Sequence, residues 1–376
     1  MQIAPFAVEQ WMNAHETHCA LNLAETCVES LTVAQLLDIA GVTGTIVDEM
    51  LPLKLTYGAI EGSERLRTAI AALYASRAPG EVLVAHGAAG ANALVYAALI
   101  EPADRVVAIV PTYQQHVSIP ESLGAEVVRL PLQADAGYQL DLDALERLVA
   151  PATKVIAFTN PNNPTGALMD AATLEGVVAI AEAAGAWVLI DEVYRGTTQL
   201  GDDLTPSIAD LYAKGIAVGS MSKAFSLAGL RLGWICASTD LLHAAAVHRD
   251  YTTISMGLID DLLAAIALEH RDALLMRSRE IVRTNLAILD DWMASEPSMS
   301  YVKPAAGTMA LLAYGADLPS RTFCLRLLEE TGVLFTPGSA FGIEGTVRIG
   351  YANDRAVLDE GLRRTSAFLR QLEQAR

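Results

Sequence analysis

The sequence predicts an α/β protein: a mainly parallel seven-stranded sheet sandwiched by helices, with a smaller α+β domain assembled from both chain ends. Three observations carry this expectation. Between about residues 82 and 238, seven short apolar, β-branched runs alternate with longer amphipathic stretches. Most of the runs lack the alternation of a sheet wetted on one face, as befits strands covered on both sides. Beyond about residue 240 the periodicity becomes that of long helices, followed by a short mixed region.

In chain order, the first 45 residues carry no strand pattern and are expected to pack with the C-terminal region. The predicted strands then span 82–86, 105–110, 125–132, 155–160, 187–192, 216–222 and 232–238. Amphipathic stretches at 140–149 and 171–184 supply crossover helices. The last two runs leave no room for a crossover helix, so one of that pair is expected to run antiparallel. A long helical stretch with one break covers 258–293, and short strands follow near 308–314, 333–335 and 346–349. The expected division is a large domain at 46–265 and a small one from 1–45 and 266–376.

Composition narrows the class. Over half of the 376 residues are apolar, ample for a packed core. A formal charge of −18, from 26 basic and 44 acidic residues, repels nucleic acid and anionic membranes. No apolar run reaches the length of a membrane span, and the first residues lack the pattern of a signal peptide. Cys19, Cys27, Cys236 and Cys324 are scattered, with no CxxC pair and no zinc spacing. A reduced, cytoplasmic protein without a metal site is expected.

The sixth run ends in Ser220-Met221-Ser222-Lys223, and eight residues later stands Arg231 in Gly229-Leu230-Arg231. A lysine amine becomes a nucleophile toward carbonyls when its surroundings keep it partly deprotonated. An arginine beside hydroxyls is a phosphate clamp. Together they describe a seat for pyridoxal 5'-phosphate (PLP). Taken alone, they also admit a surface lysine and an arginine paired elsewhere.

Other candidates fall at strand ends, where open α/β sheets bind ligands. Gly87-Ala88-Ala89, ahead of a helix expected from Ala93, is either an anion seat at a helix N-terminus or a plain tight turn. Tyr113 is either a core cap or a ring stacked on a planar cofactor. Asp191, at the end of a buried run, is costly unless paired, and a protonated pyridine nitrogen is an apt partner.

Asn163-Pro164-Thr165-Gly166, Asp191-Glu192-Val193-Tyr194, Ser220-Met221-Ser222-Lys223 and Gly229-Leu230-Arg231 stand in the order and spacing of the class I/II aminotransferases. The chain resembles these fold type I PLP enzymes from about Tyr57 to Arg348. The resemblance implies an aminotransferase acting between an amino acid and a 2-oxo acid. It makes Lys223 the Schiff-base lysine and proton shuttle, and Asp191 the partner of the pyridinium. It makes Asn163 and Tyr194 the pair that hydrogen-bond the cofactor's phenolic oxygen, and Tyr113 the stacking ring. Gly87, Ala88, Ala89, Ser220, Ser222 and Arg231 become the phosphate cup. Tyr57 corresponds to a tyrosine reaching the neighbouring subunit's phosphate, which implies a homodimer with shared sites. Arg348, in Val347-Arg348-Ile349, corresponds to the arginine gripping the substrate α-carboxylate.

One segment departs from the family pattern. Where family members commonly carry a glycine-rich stretch, this chain reads Leu21-Asn22-Leu23-Ala24-Glu25-Thr26-Cys27. Glu25 is either a solvated carboxylate or the partner of a cationic substrate side chain. The segment bears a short likeness to arginine-processing PLP enzymes such as capreomycidine synthase. That likeness implies an alternative to transamination: a lyase, cyclase or oxidase acting on a basic amino acid.

Overall fold

Residues 82–236 lay down the large sheet in the computed structural model, which describes residues 2–374. A two-residue strand near the N-terminus, β1 (Leu21–Asn22), comes first. The sheet follows as β2 (Val82–His86), β3 (Arg105–Val110), β4 (Glu126–Pro131), β5 (Thr153–Thr159), β6 (Trp187–Asp191), β7 (Gly215–Ser220) and β8 (Leu232–Cys236). Their order is β2-β8-β7-β6-β5-β3-β4. β8 alone runs antiparallel, to both β2 and β7. The short β7–β8 connection requires this reversal.

Strand side chains alternate between two buried layers. Val107, Ile109, Ile156, Phe158, Val188 and Ile190 pack against Leu174, Val177 and Ala181 of the helix Ala171–Ala184. Val106, Val155, Leu189 and Val218 pack on the other face against Leu94 and Val95 of the helix Gly87–Leu99. Covering on both faces explains the continuous apolar runs. The helix Ala171–Ala184 is bounded by local chemistry: Asp170 accepts the Thr173 amide at 2.8 Å, and Gly185 closes the end at φ 69°.

Four later strands, β9 (Met299–Tyr301), β10 (Met309–Tyr314), β12 (Thr336–Pro337) and β13 (Thr346–Gly350), form an antiparallel sheet ordered β12-β13-β10-β9. Between them β11 (Val333–Leu334) pairs in parallel with β1. The run expected at 333–335 is thus β11, and β12 follows just beyond it in the other sheet. β1 also overturns the expectation of a strandless N-terminus: two residues show no periodicity, and the pairing partner lies more than 300 residues away. Nor does the whole N-terminal stretch pack with the C-terminal region. Trp11, Leu23 and Val28 do so, beside Phe323 and Phe368, whereas Leu36, Leu37 and Ala40 join the core of the large sheet.

The long helical stretch breaks at His270, between helices Leu258–Glu269 and Arg271–Ser295. Among the described residues, no helix is long and apolar enough to cross a membrane.

Candidate active site

The carboxyl ends of β2, β3, β5, β6 and β7 open onto one cavity of about 600 Å³. Its walls include Lys223, Asp191, Tyr194, Asn163, Tyr113 and Arg348, with Ala88, Ala89, Ser220, Ser222, Arg231 and Glu25. The fold gathers these groups from positions scattered over more than 300 residues.

The cup is built where β2 turns into its helix. That helix begins at Gly87, six residues before the expected start, so Gly87, Ala88 and Ala89 form its first turn. Alanine's helix propensity carries the element through Gly90 and Asn92. First-turn amides have no intrahelical acceptor and face the positive end of the dipole. Gly87 sits at φ 63°, and a Cβ there would lie 3.1 Å from Arg231 Nη2. Arg231, itself at φ 49°, donates from Nη1 to the Ala228 carbonyl at 3.0 Å. Ser220 Oγ accepts the Ser222 amide at 3.2 Å.

Asp191 is 4% exposed at the end of β6. Its Oδ1 accepts the Val193 amide at 3.2 Å, and its Oδ2 accepts Asn92 Nδ2 at 3.1 Å. Burial pushes its carboxyl up to about 6, against the pull of those two donors and the Lys223 charge.

Lys223 Nζ donates to Thr26 Oγ1 at 2.9 Å and to Cys27 Sγ at 3.6 Å. Burial pulls its amine down, but Cys27, Tyr194 and Glu25 outweigh that and hold it above the usual lysine range. Burial pushes the Cys27 thiol up to about 11. Tyr194 OH donates to the same Thr26 Oγ1 at 3.2 Å, and burial raises its phenol.

Arg348 is 3% exposed on β13. Its Nη1 donates to Asn163 Oδ1 at 3.1 Å, and its Nη2 to the Ala24 carbonyl at 2.9 Å and Thr336 Oγ1 at 3.2 Å. None of these acceptors is a carboxylate, and Nε has no partner. The guanidinium lies 5.1 Å from the Phe341 ring centroid. Burial lowers its pKa, with Tyr194 and nearby acids opposing.

Two expected residues stand apart. Tyr57 is 71% exposed and does not line the cavity of the single chain. Glu25 lines the cavity but is an exposed residue. Tyr113 faces the cavity with its ring 4.7 Å from Phe6 and its OH donating to Glu9 Oε1 at 2.7 Å. Burial, then Glu9, raises its phenol.

Comparison with known proteins decides the family. A family model for aminotransferase class I and II matches residues 52–364. The chain belongs to this family. A solved PLP-dependent aminotransferase from Streptococcus suis 89-1591 superposes with a TM-score of 0.95 at 43% identity, covering 99% of each chain. The solved PLP-dependent cyclase OrfR superposes at 0.91 and 30% identity, covering 99% of this chain and 98% of its own. Capreomycidine synthase of Streptomyces vinaceus is 31% identical over 358 residues, 94% of this chain and 91% of that protein.

The cofactor of this family member is PLP, and the cavity suits it chemically. A dianionic phosphate matches the first-turn amides of Gly87–Leu99 with Arg231, and a ring cation matches the buried Asp191 carboxylate.

Thr26, Cys27 and Asn92 also touch the machinery and had no role in the sequence reading. Asn92 carried a signal, being the one amide in an alanine-rich helix that faces a strand-end carboxylate. Thr26 carried none: its bond to Lys223 spans 197 residues.

Proposed function

We propose that this enzyme is a PLP-dependent aminotransferase that moves an amino group between an amino acid and a 2-oxo acid. The observation that carries the reading is Lys223, Asp191 and Arg348 in the wall of one cavity at the strand ends. Bound PLP supplies an aldehyde for amines and a ring that withdraws electrons from the substrate Cα. The family resemblance suggests the roles of the chain's own residues, and their placement around one cavity supports it. Lys223 holds the cofactor covalently and carries the proton to and from the substrate Cα. Asp191 keeps a positive charge on the ring nitrogen, and Asn92 and the Val193 amide aim its carboxylate. Arg348 offers a planar fork to the substrate α-carboxylate, with Asn163 fixing its orientation. Asn163 and Tyr194 hydrogen-bond the phenolic oxygen, and Tyr113 stacks on the ring. Gly87, Ala88, Ala89, Ser220, Ser222 and Arg231 hold the phosphate.

The reading includes a cytoplasmic homodimer with shared sites. The exposure of Tyr57 beside the exposed Leu51 and Leu55 supports a surface for a second copy. Four free cysteines support a reducing location.

The test incubates the holoenzyme with amino donors and a 2-oxo acid acceptor and quantifies both products. One new amino acid for each 2-oxo acid released is expected. Lys223→Ala is expected to abolish turnover and the visible absorbance of the protein-held cofactor; retention of either overturns its assignment. Ammonia or a cyclised product without amino transfer would favour the second reading, a lyase, cyclase or oxidase on a basic amino acid. The relatives named capreomycidine synthase and PLP-dependent cyclase support that alternative.

A further inference from the structure

The helix Ala7–His15 walls one side of the cavity, which Val8, Glu9 and Met12 line together with Phe6 ahead of them. Elsewhere the helix is firmly anchored. Trp11 is fully buried in the core beneath the smaller sheet, and its Nε1 donates to the Phe335 carbonyl at 2.8 Å. Glu9 lies two residues from Trp11, about 200° around a helix of 3.6 residues per turn, so the two project from opposite sides. There Glu9 Oε1 accepts the Tyr113 phenol at 2.7 Å. Phe6 sets its ring 4.7 Å from the ring of the same tyrosine. The next residue, Gln114, caps the helix from outside. Its Oε1 accepts the Ala7 amide at 2.9 Å, and its Nε2 donates to the Pro5 carbonyl at 2.9 Å. A first-turn amide without an intrahelical acceptor is thereby satisfied.

With Trp11 and Gln114 holding the helix, the Glu9–Tyr113 bond is free to serve the tyrosine. A hydroxyl donating to a carboxylate makes a shorter and stronger bond than a neutral pair. Burial, then Glu9, raises the Tyr113 phenol, so its O–H stays a donor. The bond acts on the ring in two ways. It ties the far end of a side chain whose near end is fixed by the backbone, and so limits how far the ring can swing. It also draws the hydroxyl proton outward and leaves more electron density on the ring, whose negative face then suits an electron-poor partner. A pyridine ring carrying a positive charge is such a partner.

We propose that Glu9 is a positioning residue for the cofactor: through the Tyr113 phenol it fixes the plane of the ring that stacks on PLP. This rests on the proposed stacking of Tyr113 and adds the group that aims it. The coupling runs both ways, because any factor by which the Glu9–Tyr113 bond strengthens cofactor binding is returned by the bound cofactor to that bond. PLP therefore tightens the hold on the helix Ala7–His15.

The experiment measures PLP affinity by equilibrium dialysis for wild type, Glu9→Leu, Glu9→Gln, Tyr113→Phe and the double variant Glu9→Leu, Tyr113→Phe. Hydrogen exchange over residues 7–15 is followed with and without PLP. Glu9→Leu and Tyr113→Phe are each expected to weaken PLP binding about three- to tenfold. The double variant should be no weaker than the worse single one, since both changes remove the same bond. Glu9→Gln, which keeps an acceptor, is expected to regain most of the loss. PLP should slow exchange over residues 7–15 in wild type and lose that effect in Tyr113→Phe. Wild-type affinity in Tyr113→Phe, or single effects that multiply in the double variant, overturns the inference. Equal protection of the helix by PLP in wild type and Tyr113→Phe also overturns it. Tyr113→Phe breaks the bond from the opposite side, so the test survives a Glu9→Leu protein that fails to fold. Tyr113→Ala tests the stacking itself. If it holds PLP as wild type does, the stacking role falls and the inference with it; if it alone weakens PLP, only the inference falls.

Discussion

Thr26 Oγ1 accepts a hydrogen bond from Lys223 Nζ at 2.9 Å, and the backbone of the same segment holds the lysine from the other side, Val28 N donating to the Lys223 carbonyl at 3.4 Å. Tyr194 OH donates to the same hydroxyl. One threonine therefore sets the position of two proposed catalytic groups. Thr26→Val keeps the shape and removes the acceptor. A hydrogen bond to a charged group is worth about 1.5–3 kcal/mol, so turnover is expected to fall roughly 10- to 100-fold. Thr26→Ser is expected to restore most of it. Steady-state kinetics check both, and a fully active Thr26→Val removes Thr26 from the machinery.

Asp191 predicts a conflict between stability and function in the cofactor-free protein. Its carboxyl is raised by burial from 3.8 to about 6, so the folded state favours the protonated form. The unfolded chain holds fewer protons between those values, and stability falls as pH rises through that window. Below about 3.8 the penalty is absent, and above about 6 it is complete at roughly 3 kcal/mol. Asp191→Asn lacks the charge, so its apo form is expected to exceed apo wild type in stability at pH 7 by up to about this amount. The advantage should vanish near pH 4. Denaturant melts at both pH values measure it. With PLP present the order should reverse, because the variant has no charge to offer the ring.

Arg348 tests the substrate fork. Its neighbours Asn163, Ala24 and Thr336 orient the guanidinium plane. Arg348→Lys keeps one positive charge and loses the fork. A loss of about 2–4 kcal/mol in kcat/KM is expected, roughly 30- to 1,000-fold, carried mainly by KM. The cofactor spectrum should be unchanged. A normal KM would assign the α-carboxylate elsewhere.

What the sequence disclosed follows the range of the interactions. Most of the seven strands were legible because they are buried on both faces and therefore read as apolar runs; Ile156 and Phe158 of β5 show the rule, while the edge strand β4 buries only Leu130. Lys223, Asp191 and Arg348, which share the cavity wall, stand in local motifs that a sequence displays: beyond β7, at the end of β6 and within β13. The start of the helix at Gly87 was misplaced because Gly90 and Asn92 read as loop residues, while alanines and packing against β8 hold them helical. β1 and the Thr26–Lys223 contact were beyond reach, since pairings across hundreds of residues leave no periodicity. Glu9 was passed over for a related reason: only the fold shows that its helix faces the cavity.

Gly233 links the sheet to the cup. A Cβ at this position would lie 2.4 Å from Gly87 C and 2.6 Å from Ala88 N, against backbone rather than a side chain that can swing away. β8 is fixed on both sides, Gly233 pairing with Ala85 of β2 and with Ser220 of β7. The displacement forced by Gly233→Ala must therefore fall on the first turn of the helix, where the phosphate is proposed to sit. Overpacking of this kind costs about 1–3 kcal/mol. A lower melting temperature is expected, with PLP held at least about tenfold more weakly, because amides moved by a few tenths of an ångström no longer converge on one anion. Gly229→Ala is the matched control: it lies four residues away, and its added Cβ meets nothing within 4 Å. It should leave both quantities unchanged. Equilibrium dialysis against PLP and thermal melts of both variants separate the outcomes. A Gly233→Ala protein that melts early yet holds PLP as wild type does would detach the cup from this contact.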